Sequence, residues 1–185
     1  MNKTVRSRHP ERAPGTPMIK FANAQMKRPR TLRDAYGLDE QNLAATGNFT
    51  LSESLAIRRM LELEFGLNSN DRIHVATGPG TVFEAKLAFP DADVQVGRGT
   101  NGADYKLKDQ LAELIPIAHT FGKIVVGTGD HELLEDVKAL IEAGGNVVLV
   151  GVRGSIYRAY FELGIQVSEI APRATMIQSD WTLTA

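Results

Sequence analysis

Apolar positions along the chain follow two periods. Short runs rich in β-branched residues occur at Ile73-His74-Val75-Ala76, Val94-Gln95-Val96, Ile124-Val125-Val126, Val147-Val148-Leu149-Val150 and Ile165-Gln166-Val167. Runs this short and this apolar predict buried strands. Met18-Ile19-Lys20-Phe21-Ala22 is a further run and reads as the first strand. Between the runs the spacing changes to that of helices. Thr50-Leu51-Ser52-Glu53 fits a capping box, and Leu55, Met60, Leu61 and Leu63 carry a helix to Gly66. A short helix is predicted from Val82 to Ala88. Leu107, Leu111, Leu114 and Ile115 mark another, which Pro116 ends or kinks. Leu133, Leu134, Val137, Leu140 and Ile141 define the next, closed by Gly144-Gly145, and a last helix is expected from about Ser155 to Leu163. Met26 to Asn48 shows no period and reads as a loop with short helical pieces.

Strands alternating with amphipathic helices predict an α/β fold. Its mostly parallel sheet is covered by helices on both faces, a Rossmann-like three-layer sandwich. No linker divides residues 18–170, which read as a single domain. Residues 1–17, rich in Arg, Pro and small polar residues, read as a disordered arm, and 171–185 as a tail. In such sheets ligands bind outside the carboxyl ends of the strands, so the chemistry is sought there.

Composition narrows the classes. The 185-residue chain has no cysteine, which excludes disulfides, thiolate nucleophiles and Cys-ligated zinc. No apolar run reaches the roughly 18 residues of a membrane span. The N-terminal stretch lacks the apolar core of a signal peptide, so a cytoplasmic protein without membrane contact is expected. A net charge of −1 hides an asymmetry: residues 1–33 hold nine Lys or Arg and one acid, against 12 basic and 21 acidic side chains in the remainder. A basic arm on an acidic body points to a polyanion, RNA being the expected partner, with Lys27, Arg28 and Arg30 in the arm. The other reading is a solvated tail. A homo-oligomer and a protein partner are both compatible with the chain.

Four carboxylates fall at strand ends: Asp104 and Asp109 in GADYKLKDQLAEL, and Asp130 and Glu132 in TGDHELL. Crowded carboxylates repel one another and stay ionised together only where a cation neutralises them. An all-oxygen set suits Mg2+ or Mn2+ and metal-assisted attack of water on a phosphodiester. Each residue also has an ordinary reading. Asp104 can start a helix and pair with Lys108, Asp109 can face solvent, Glu132 suits a first helical turn, and Asp130 can cap it. His131 is either a proton carrier or a surface residue.

The stretch KIVVGTGDHELLEDVKALIEAGGNVVLVGVRGSIYRAYFELGIQVSEI resembles the C-terminal half of an NYN domain, a PIN-like ribonuclease family. That family's Ser/Thr-Gly-Asp-x-Asp turn reads here Thr128-Gly129-Asp130-His131-Glu132, with Glu for the second Asp. RGTNGADYKLKDQLAEL resembles the family's Gly-x-Asp segment, with Asp104 on its acid and Asp109 near the next. The resemblance covers residues 93–170 and implies a PIN-like fold and divalent-metal-dependent endoribonuclease activity. Asp104, Asp109 and Asp130 would be metal ligands, Glu132 a further catalytic acid, and Arg98 and Lys106 contacts to the RNA backbone. In the family the first strand ends in an aspartate followed by Gly-x-Asn; here Ala22 and Gln25 stand at those positions. That departure leaves a second reading, a catalytically silent protein that binds RNA or a protein. A third is dinucleotide binding through Gly97, Gly99 and Gly102, a literal Gly-x-Gly-x-x-Gly after a strand. Against it, Asp104 would repel a pyrophosphate.

Overall fold

The structure, a computed structural model, describes residues 32–171. Six parallel strands form one sheet: β1 (Ala35–Asp39), β2 (Arg72–Thr77), β3 (Asp93–Val96), β4 (Ile124–Gly127), β5 (Val147–Val152) and β6 (Gln166–Ile170). Their spatial order is β3-β2-β1-β4-β5-β6. The helices are α1 (Glu40–Leu43), α2 (Leu51–Phe65), α3 (Val82–Ala88), α4 (Gly102–Leu114) and α5 (Leu134–Glu142). The expected α/β class with a parallel sheet is therefore observed.

The sheet has a hydrophobic core on each face. Tyr36 and Leu38 of β1 join Ile57, Leu61 and Phe65 of α2 and Ala85 and Ala88 of α3 in one. Ala35 joins Leu107, Leu111 and Leu114 of α4 and Val137 and Leu140 of α5 in the other. Alternate residues of β1 thus face opposite layers, as the pleat requires. Local signals are met where they were read. Thr50 Oγ1 accepts from Glu53 N at 3.4 Å while Glu53 Oε2 accepts from Thr50 N at 2.7 Å, closing the capping box of α2. Gly66 ends that helix in the left-handed region at φ 73°. Pro116 opens a 3₁₀ turn, Ile115–Thr120, directly after α4.

Two expectations are corrected. The strand read at 18–22 lies outside the described residues, and the sheet's first strand is Ala35–Asp39, inside the segment read as a loop. Its signal is weak because Gly37 interrupts the apolar run. Yet a Cβ there would sit 2.6 Å from Leu111 Cδ2, so the close seat of α4 on β1 explains the glycine. The helix expected at 155–163 is only a 3₁₀ turn, Arg158–Glu162. The start of this segment is tied to the loop after β4, Tyr157 N donating to Gly129 O at 2.9 Å.

Leu111 is fully buried against β1. Truncating it should leave a cavity between α4 and the sheet. Leu111→Ala is expected to lower stability by about 2–5 kcal/mol in urea unfolding with an unchanged slope. A loss under about 1 kcal/mol would show that α4 does not seal this face.

Candidate active site

The strand order places the site. β1 continues outward to β2 and β3, and the chain then returns through α4 to β4 on the other side of β1. The loops after β1 and β4 therefore leave in opposite directions, opening a crevice at the carboxyl ends of these two central strands. A crevice of about 530 Å³ lies there, and Asp39, Asn42, Asp104 and Asp130 are among its lining residues.

Asp39 ends β1 with the same pleat parity as Ala35 and Gly37, toward the α4 layer. It caps α1, its Oδ1 accepting from Asn42 N at 3.1 Å, and is only 3% exposed. Asp104 comes from the first turn of α4 and is 8% exposed. It reaches the crevice because two glycines let the helix start close over the end of β3. A Cβ on Gly97 would lie 1.9 Å from the Gly102 carbonyl group. The glycines of GRGTNG are thus explained by packing against each other, and the motif follows the third strand of the sheet rather than its first.

Burial holds both the Asp39 and the Asp104 carboxyl above the ordinary carboxylate range. Burial first, and then the adjacent Asp104 charge, push the Asp39 carboxyl up to about 7 against the hydrogen bond from Asn42 N–H. Asp104 is also raised, first by burial and then by the charges of Asp130 and Glu132. The hydrogen bond from Asp39 and the Lys108 ammonium oppose this. The two carboxyls therefore resist being ionised together.

Asp130 is held from both sides. Asn42 Oδ1 accepts from Gly129 N at 3.0 Å, tying the loop after β1 to the loop after β4. From the far side, Tyr160 Oη donates to Asp130 O at 2.6 Å. A Cβ on Gly129 would lie 2.7 Å from Ser155 O, so the turn needs glycine to fit between these neighbours. The Asp130 carboxylate caps the following turn, accepting from Glu132 N at 3.0 Å, and stands 2.8 Å from His131 Nδ1. Glu132 is paired with Lys108 Nζ at 3.2 Å.

Of the residues read from sequence, Asp104 and Asp130 line one crevice, with Glu132 near enough for its charge to act on Asp104. Asp109 is corrected: it is exposed on α4 and bonds Lys106 Nζ at 3.2 Å, five residues past Asp104 and so on another side of the helix. Lys106 is engaged by that pair, while Arg98 is exposed beside the crevice-lining Gly97 and Gly99. Lys27, Arg28 and Arg30 lie outside the described residues. Sequence reasoning missed Asp39, Asn42 and Tyr160, and read Lys108 as a partner of Asp104, whereas its ion pair is with Glu132. The signal for the first two was Asp39-Glu40-Gln41-Asn42 directly after AYGL, hidden by the glycine in the strand.

Among the described residues, no three His, Asp or Glu side chains already stand as a chelating group. None of the helices there is long and apolar enough to cross a membrane. No protein-family model, curated protein or solved structure matches the chain.

The raised Asp39 carboxyl has a consequence for stability. The protonated form fits the fold, so its contribution is complete below about pH 4 and is lost as pH rises through about 7. Asn cannot ionise and can still donate to Asp104. Asp39→Asn should therefore melt near the parent at pH 4 and increasingly above it toward pH 8; a gap that stays constant with pH would refute the assignment.

Proposed function

We propose that the chain is a divalent-metal-dependent endoribonuclease of PIN-like type, with Asp39, Asp104 and Asp130 holding Mg2+ or Mn2+. The observation that carries this reading is the convergence of these three carboxyls, from the ends of β1 and β4 and the start of α4, on one crevice at the switch point. The donors are all hard oxygens, which suits these cations. Burial disfavours ionising Asp39 and Asp104 together, and a divalent ion would favour the carboxylate form of both. When bound, the ion would supply an activated water and neutralise charge on the phosphoryl oxygens.

The chain's own residues have separate tasks in this scheme. Asp39 would hold the ion as its carboxylate, and Asn42 and Tyr160 fix the backbone that carries Asp130. Glu132, paired with Lys108 at the rim, orients the attacking water. Arg98 meets the RNA backbone at the mouth. The resemblance to NYN domains supports the same reading once the first strand is taken as β1. Asp39 and Asn42 then stand at the family's aspartate and asparagine, with Glu40 in place of glycine. On that alignment Ala22 no longer stands at the family's aspartate position.

The test is cleavage of single-stranded RNA with and without Mn2+. Asp39→Asn, Asp104→Asn and Asp130→Asn should each lower the Mn2+-dependent rate by roughly two orders of magnitude, a loss typical of removing one charge-stabilising group. Asp109→Asn should leave it unchanged. Cleavage that is absent in the parent, or indifferent to Mn2+, would overturn the reading.

A further inference from the structure

Next to the crevice lies a second recess of about 340 Å³, lined by Asn42, Gly129, Asp130, His131, Ser155 and Tyr157. It shares Asn42, Asp130 and Ser155 with the acidic crevice, so the two are continuous. Its walls include two exposed rings: the His131 side chain is 66% exposed and Tyr157 47%. Their centroids are 5.8 Å apart at an interplanar angle of 63°. Such a pair leaves ring faces open to a third planar group.

The loops that carry the rings are tied to the turn after β4. Tyr157 is anchored through its backbone to Gly129 O, and His131 Nδ1 lies 2.8 Å from Asp130 Oδ1. Charge selects the ligand. The Asp130 and Glu132 carboxylates flank His131, at 2.8 Å and 3.6 Å, and disfavour a phosphate in the recess. A nucleobase offers a neutral π face instead. The phosphate joining that base to its neighbour can lie outward, where the adjacent Arg158 is 92% exposed.

We propose that the His131–Tyr157 recess is a nucleobase-stacking subsite that makes the chain select single-stranded RNA. This inference rests on the ribonuclease reading for its substrate class and adds the strandedness. A base can enter only if it is unstacked from its own strand, which a loop or single strand permits and a duplex resists. No aromatic-basic repeat announces such a platform in the sequence, because its two rings come from loops 26 residues apart and meet only across the ends of β4 and β5.

The experiment measures binding of the full chain to a labelled single-stranded RNA and to a matched duplex, with EDTA present so that cleavage cannot interfere. Tyr157→Ala is expected to weaken single-strand binding about 5- to 150-fold, the effect of losing one stacked base. His131→Ala should weaken it in the same direction, Tyr157→Phe should bind like the parent, and duplex binding should be unaffected. Single-strand binding unchanged in Tyr157→Ala, or lost equally for both nucleic acids, overturns the subsite. The parent's Mn2+-dependent cleavage is scored separately. A parent that cuts but ignores Tyr157→Ala refutes the subsite alone, and one that stacks RNA without cutting refutes the ribonuclease reading alone.

Discussion

A buried carboxyl beside another carboxyl cannot remain charged without help, and Asp39 is fixed in that position by the fold. It ends the central strand of the sheet, it caps α1, and the seat of α4 on β1 brings Asp104 against it. Both carboxyls are held above their ordinary range in response to that constraint. Nothing in ordinary packing calls for two acids here, since an apolar or amide pair of similar size would avoid the desolvation. Buried charge of this kind is a frequent mark of a functional site.

The neighbouring turn follows a different principle. Asp130 is more open than Asp39, and its position depends on hydrogen bonds to its backbone rather than on burial. Asn42 holds the turn from the β1 side and Tyr160 from the β5 side, while Gly129 leaves room for both. Residues from three separate loops thus control one aspartate. Lys108 balances the field, pairing with Glu132 and lowering the Asp104 carboxyl against the surrounding acids. The outcome is a crevice lined by Asp39, Asp104 and Asp130 at the carboxyl end of the sheet.

Glycine has two unrelated uses in this architecture. At Gly37 and Gly97 a side chain would run into the neighbouring element, so glycine sets how closely layers approach. At Gly66 it supplies a left-handed backbone that ends a helix. Both uses read alike in a sequence. GRGTNG carries the spacing of a phosphate-binding loop, while its contacts are those of a helix start packed on a strand end.

Much of the fold was legible in order. The runs at 73–76, 94–96, 124–126 and 147–150 became strands, and the capping box at Thr50 and Gly66 bounded α2, because hydrophobic period and cap chemistry are local properties. β1 was not legible, because its glycine answers to Leu111, far along the chain. With β1 went Asp39 and Asn42. Asp109 failed for the opposite reason: it shares a segment with Asp104, but five residues along a helix turn a side chain to another side. The sequence by itself determined which segments are strands and helices and that acids gather near their ends. Only the tertiary structure decided which acids meet, because that depends on strand order and helix rotation, which no local pattern encodes.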